Sequence, residues 1–232
     1  MTDDTAGPTG SPAESPTEGL VRRLAALPTA AISDALDALG LPGPVHGLAP
    51  LTNQARGTGP AFTVAYEPAH SDRDRVGDFL DDVPAGSVVV IDNAGRTDCT
   101  VWGGIMTQTA GARCVAGTVI HGACRDVATS VAQGYPLFSA GRFMRTGKDR
   151  VRLAAVGVPI TIDRVTICPG DLVTGDADGV GIVASRHLQR TVEIAEDIDR
   201  TEHRIVDAVR AGATLRQARA ALGYHQLQRG TR

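Results

Sequence analysis

Two stretches carry residue types able to do chemistry at close spacing: Ile91-Asp92-Asn93-Ala94-Gly95-Arg96-Thr97-Asp98 and Ile120-His121-Gly122-Ala123-Cys124-Arg125-Asp126. Each opens on a β-branched run and closes in glycine and charge, as a buried strand does when it leads into a ligand-binding turn. In the second stretch Arg125 and Asp126 stand side by side, a guanidinium that can pair with a carboxylate and a carboxylate that can ligate a hard cation. The same dipeptide also fits an N-cap aspartate followed by a helix, with Arg125 merely on the surface. His121 fits either a contact to a substrate group or a ring hydrogen-bonded to backbone. None of Cys99, Cys114, Cys124 and Cys168 has a neighbour that would mark a nucleophile, and no G-x-S-x-G occurs. Lys148, the single lysine, lies outside both stretches, so a Schiff base has no nucleophile there.

The elements that must hold these turns follow from periodicity and breakers. Residues 1–18 are Pro, Ser, Thr, Gly and acid, which predicts a disordered tail ahead of a single domain over 19–232 with a C-terminal helical extension. LVRRLAAL and TAAISDALDALG space apolar residues for two short helices, the second closed by Gly40. AFTVAYEP reads as a strand ended by Pro68, HSDRDRVGDFLDDV as an amphipathic helix, and SVVVIDNAG as a buried strand stopping at the first turn. WGGIMTQTAGARC suits a helix packed closely on a sheet, VAGTVIHGACRD a second buried strand, and VATSVAQGYPLFSAG a helix stopped at Gly134 and a third strand. VPITIDRVTICPGDLVTGDADGVGIVAS alternates β-branched residues with turns, as consecutive short strands do, with Asp171, Asp176 and Asp178 serving the turns. A long helix from about Arg186 to Arg210 and another over TLRQARAALGYHQLQ complete the chain. The expected fold class is α/β, a layered α-β-β-α sandwich with a mixed sheet and flanking N- and C-terminal helices.

Composition narrows the function classes. With 23 Lys and Arg against 26 Asp and Glu, the 232-residue chain has a formal net charge of -3 and no global positive field to collect nucleic acid or anionic lipid. No apolar run is long enough to span a membrane, and no basic leader precedes an apolar segment, so the cytoplasm is the expected location.

TAAISDALDALG, VVVIDNAG, WGG, the block VAGTVIHGACRDVATSVAQGYPLFSAG and PGDLVTGDADGV resemble, in order and spacing, the class II pyruvate aldolases acting on 4-hydroxy-4-methyl-2-oxoglutarate and 4-carboxy-4-hydroxy-2-oxoadipate, together with the similar regulators of ribonuclease E activity. The resemblance covers about Leu20 to Gly212. It implies Arg125 as the contact to a substrate carboxylate or carbonyl, Asp126 as direct ligand of a divalent cation, Mg2+ or Mn2+, and the turn Gly103, Gly104, Ile105 and Met106 as a substrate cradle of backbone N–H groups. It also implies that Glu202 reaches the ion's waters from a neighbouring subunit of a homotrimer or hexamer, although Glu202 equally fits one more charge on a solvated helix face. Two departures stand out: Gly104 occupies the position of a family acid that orients those waters, and His121 replaces a common Asp. Asp92 or Asp98 could replace the missing acid. The implied activity is metal-dependent retro-aldol cleavage of a 4-hydroxy-2-oxo acid to pyruvate, decarboxylation of oxaloacetate, or both, Arg125 and Asp126 being the catalytic pair. The alternatives are a non-catalytic, protein-binding regulator and a related lyase or decarboxylase recruited to specialised metabolism.

Overall fold

Val88 to Ile91 set the frame. Val88 and Val90 face one core while Val89 and Ile91 face another, all four buried, as the two-residue period of a strand covered on both sides requires. In the computed structural model, which describes residues 16–70 and 78–224, these valines lie on β4. The strands are β1 (Pro44–Val45), β2 (Ala49–Pro50), β3 (Gly57–Pro68), β4 (Val88–Thr100), β5 (Gly117–Cys124), β6 (Leu137–Arg142), β7 (Val151–Val156), β8 (Ile160–Ile162), β9 (Val165–Ile167), β10 (Leu172–Asp176) and β11 (Gly179–Val183). The α-helices are α1 (Pro16–Ala26), α2 (Thr29–Leu39), α3 (Gly104–Ala112), α4 (Val127–Ala132), α5 (Leu188–Arg210) and α6 (Leu215–Ala221).

Nine strands form one mixed sheet in the order β1-β11-β10-β3-β4-β5-β6-β2, with β7 on β3, and β8 and β9 form a separate hairpin. From β3 to β6 the pairing is parallel, through α3 and α4 as crossovers. One face of these strands packs Val89, Ile91, Ile120 and Leu137 against Trp102, Ala110 and Met106. The opposite face packs Val88, Val90, Val119 and Phe138 against the hairpin and against Val173 and Ile182 of β10 and β11. The outer side of β10 and β11, through Leu172 and Val183, is covered by α1, α2 and α5, whose Leu188, Val192, Ala195 and Ile198 recur at three- and four-residue spacing. The α-β-β-α layering expected from the sequence is the architecture found.

β3 joins the layers: its first residues pair with β10, its last with β7, and its middle with β4 on the other side. Gly59 permits the close approach of the Gly86 carbonyl, which would lie only 2.1 Å from a Cβ at that position. At the far ends of the sheet path, β1 and β2 are separated only by residues 46–48, so the sheet curls until its edges neighbour one another in the chain.

Several boundaries differ from expectation. β4 does not stop at Asp92; it continues to Thr100, because residues 93–95 and 97–99 are extra residues inserted between successive partners on β5. β7 was not foreseen. Of the expected helix over 70–83, the described part forms only a short 3-10 turn at Leu80–Asp82, and residues 71–77 lie outside the described residues. The expected tail lies mostly outside them too, and α1 begins at Pro16, before the boundary drawn at residue 18. Gly40 (φ 67°) and Gly134 (φ 63°) stop their helices as read, and Asp171 and Asp176 serve backbone turns. The C-terminal helix, read over 214–228, ends at Ala221, with Thr214 and Gln217 forming its capping box, and residues 225–228 lie outside the described residues. Among the described residues no helix is long and apolar enough to cross a membrane.

Candidate active site at the end of the third parallel strand pair

β5 ends at Cys124, and the chain turns through Arg125 and Asp126 into α4. Asp126 takes φ 55° and ψ 40°, a left-handed conformation that aspartate tolerates better than most residues. It stands at the N-cap of α4 but makes no side-chain cap bond there. Its Oδ2 instead accepts the N–H of Gly104 at 2.8 Å, capping the neighbouring helix α3. Gly103 is a glycine for a steric reason, since a Cβ there would lie 2.9 Å from Asp126 Oδ2 and 3.1 Å from Arg125 Nε; a Cβ on Gly104 would meet Asp126 Cβ at 3.3 Å, which a shift of a few tenths of an ångström relieves.

The sequence-predicted residues Gly103, Gly104, Arg125 and Asp126 are therefore brought together. Ile105 follows in the first turn of α3 and is 83% exposed, while the Met106 side chain packs on the core; the helix itself leaves the N–H groups of both without a partner. Arg125 Nε lies 3.7 Å from Asp126 Oδ2, both side chains half-exposed. Behind them the floor is stiff. The Arg125 N–H donates to the Trp102 carbonyl at 3.0 Å, buried Trp102 donates from Nε1 to Thr107 Oγ1 at 2.9 Å, and the Thr107 and Ser130 hydroxyls, 2.8 Å apart, tie α3 to α4.

A cleft of about 310 Å³ opens over this turn, lined by Cys124, Arg125, Asp126, Val127, Arg142, Phe143 and Met144. Of these, only Arg125 and Asp126 were singled out by sequence reasoning; Arg142, Phe143 and Met144 come from the end of another strand. The signal available was topological: SAGRFM ends the parallel strand that neighbours β5, and Arg142 pairs in register with Cys124. Burial pushes the Cys124 thiol up, keeping it neutral.

The other sequence-predicted turn is closed upon itself. Asp92 Oδ1 accepts the Ala94 N–H at 2.8 Å and lies 2.8 Å from His121 Nδ1. Gly95 (φ 69°) rests against the same ring, whose Nε2 would be 3.1 Å from a Cβ there. Asp98 is held from both oxygens by Arg96, at 3.0 and 2.9 Å, and that pairing keeps its carboxyl below the usual range. Neither Asp92 nor Asp98 lines the cleft. Glu202 lies on α5, away from its own chain's cleft; burial raises its carboxyl pKa, and Asp34 and Asp199 push the same way.

Asp126 offers a divalent ion one half-exposed carboxylate, already oriented by a backbone N–H. Among the described residues no group of three or more His, Cys, Asp or Glu side chains gathers to hold a metal. This donor set does not suit zinc, which takes most of its ligands from protein, but it fits Mg2+ or Mn2+, hard ions that retain waters and take one or two carboxylates together with substrate oxygens.

Fold and site define a member of a known class. The RraA-like family, described as Aldolase/RraA, matches residues 29–182, and the chain belongs to it. Protein DlpA of Legionella pneumophila is 41% identical over 214 residues, 89% of this chain but 34% of that protein, so the chain spans about a third of that relative's length. A Halalkalibacterium halodurans protein bearing the name "Putative 4-hydroxy-4-methyl-2-oxoglutarate aldolase" is 35% identical over 191 residues, 80% of this chain and 88% of the other. The crystal structure of Streptomyces coelicolor RraAS2, described as an unusual member of the RNase ES inhibitor RraA protein family, superposes with a TM-score of 0.75 at 28% identity, covering 83% of this chain and 98% of that one. Two of these relatives thus carry names of different kinds, one aldolase and one inhibitor.

Proposed function

We propose that this protein is a divalent-metal-dependent carbon–carbon lyase acting on a small 2-oxo acid. The observation that carries the reading is the arrangement at the end of β5: a guanidinium and an oriented carboxylate with bonding capacity to spare, side by side in an open cleft. Asp126 would hold the ion. When bound, a divalent cation would supply Lewis acidity to a 2-oxo acid, lowering the energy of the enolate released as a C–C bond breaks. Arg125 pairs with the substrate carboxylate or keto oxygen, from a main chain fixed to Trp102. For a 4-hydroxy-2-oxo acid, the hydroxyl proton leaves to water, the C3–C4 pair flows into the enolate, and protonation at C3 gives pyruvate beside a carbonyl product. Oxaloacetate, losing carbon dioxide, reaches the same enolate. The buried, neutral Cys124 takes no part.

The assembly belongs to the same proposal. Ile105, 83% exposed, and Met144, 78% exposed, are apolar residues near the cleft. A homotrimer, single or paired into a hexamer, would cover them and bring Glu202 of a neighbouring copy toward the ion's waters. Four free cysteines accord with residence in the reducing cytoplasm.

One observation favours a second reading, a protein-binding regulator: Gly104 deprives the cleft of the acid found in family aldolases. A coupled assay of pyruvate release from a panel of 2-oxo acids, with magnesium and with EDTA, separates the two. Release that EDTA abolishes is expected, and silence across the panel in both arms overturns the lyase.

A further inference from the structure

The first turn of α4 carries two hydroxyls, and only one of them is bonded within the fold. Ser130 is buried and shares its hydroxyl with Thr107 at 2.8 Å. Thr129, half-buried beside it, has no hydrogen-bond partner for its Oγ1 among the described residues. A threonine within a helix commonly donates to the carbonyl four residues back, as Thr201 does to Asp197 at 2.8 Å, but Thr129 does not. Thr129 also stands three residues after the N-cap Asp126, where a side chain can close a capping box with the N-cap residue. Asp126, left-handed and bonded through Oδ2 to the Gly104 N–H of α3, makes no such bond.

Thr129 and Asp126 meet at the same place. An atom at the Cβ position of Gly104 would lie 3.4 Å from Thr129 Oγ1 and 3.4 Å from Asp126 Oδ2. The two oxygens are therefore no further apart than twice that distance, a span that one or two waters bridge. The acid that the family resemblance places at position 104 would grow into this space. Glycine leaves it open, and the oxygen that reaches it comes from α4 instead. Water on a divalent cation donates hydrogen bonds, and a hydroxyl oxygen with its lone pairs unengaged accepts them.

We propose that Thr129 is a positioning residue for the divalent cation: its Oγ1 accepts a hydrogen bond from a water of the ion held by Asp126, taking from α4 the part that the family resemblance gives to an acid at position 104. This rests on the metal-dependent reading of the site, but its test requires no turnover. Partners of metal ligands are worth about 10- to 100-fold in affinity, and a neutral hydroxyl in place of a carboxylate belongs at the lower end, about tenfold.

The test is calorimetric titration with manganese of the wild type, Thr129→Val, Thr129→Ala and Thr129→Ser, and of Gly104→Asp with and without Thr129→Val. Valine keeps the branched shape and alanine the helix, and both remove the hydroxyl that serine retains. Manganese affinity should fall about tenfold in the first two variants and stay within about threefold of wild type in Thr129→Ser, with thermal melts confirming that all are folded. Once an acid occupies position 104 the hydroxyl should be redundant, so Thr129→Val should cost less than about threefold in the Gly104→Asp background. Unchanged affinity in Thr129→Val and Thr129→Ala overturns the proposal, as does an equal loss in Thr129→Ser or a full tenfold loss in the Gly104→Asp background. A wild type that binds no manganese overturns it together with the metal-dependent reading. Manganese binding that depends on the hydroxyl, in a protein that releases no pyruvate from any 2-oxo acid, would sink the lyase reading while this assignment stands.

Discussion

The turns that follow the buried runs of β4 and β5 are built from the same materials, glycine, aspartate and arginine, and sit side by side at the same end of the parallel sheet, yet they spend their polar groups differently. In the β4 turn every charge is answered from within: Asp92 by His121 and the Ala94 N–H, Asp98 by Arg96. In the β5 turn Asp126 takes a single backbone N–H, and its distance to Arg125 is too long for a hydrogen bond. Saturated groups hold the backbone; unsaturated ones beside a cleft are available to a ligand. The residue types alone do not distinguish the two.

The largest effect should come from the unsaturated turn. Asp126→Asn keeps a side chain that tolerates φ 55° and can still accept from Gly104, but it removes the charge. Lyase activity should fall about 100-fold or more, since even partners of metal ligands are worth about 10 to 100-fold, with little change in Tm. Asp126→Ala should lose the same activity and in addition destabilise by about 1 kcal/mol, roughly 2–4 °C, because alanine resists the left-handed backbone. Calorimetric titration with manganese checks the assignment, and unchanged affinity in either variant removes Asp126 as the ligand.

Next in size is an attempt to add an acid to the open turn. A Cβ at Gly104 would point at Asp126, 3.3 Å from its Cβ and 3.4 Å from Oδ2, so Gly104→Asp sets two carboxylates beside one ion position. Activity should rise about tenfold in magnesium, and the Tm of the variant should climb more steeply with magnesium than that of the wild type, the ion relieving like-charge repulsion. Parallel magnesium titrations would show that the site uses no acid there and would shift weight to the regulator.

The smallest effect belongs to the saturated turn. Asp92→Ala should lower Tm by a few degrees, about 1–2 kcal/mol for the lost bonds to Ala94 and His121, while lyase rates stay within about twofold. A collapse of activity comparable to that of Asp126→Asn would erase the distinction between the turns.

How much of this the sequence disclosed depends on the range of the interaction. Val88–Ile91 announced a buried strand because a doubly covered strand has no polar alternation, and Gly40 and Gly134 announced helix stops because a left-handed residue is local chemistry. Gly95 misled for the same reason: a glycine after a β-branched run reads as an ending, whereas here the positive φ of Ala94 and Gly95 absorbs extra residues within a strand that β5 continues to pair. The family resemblance singled out Gly103, but the reason, an Asp126 carboxylate against its Cα, is visible only in three dimensions. Arg142 carries no motif, and only the register of β6 on β5 brings it to the cleft.

The position of β3 has a consequence for how the chain acquires its shape. Its Pro60 pairs with Leu172, so the strand shared by both layers waits, during synthesis, for a partner made more than a hundred residues later. Pairings of such long sequence separation are slow to form, because the loop must close before any contact rewards it. The emerging N-terminal part therefore exposes one edge of β3 until β7 and β10 have left the ribosome, an interval in which strand-to-strand misassociation competes with folding. Expression yield should respond to temperature and to chaperone supply more than the stability of the finished protein would suggest.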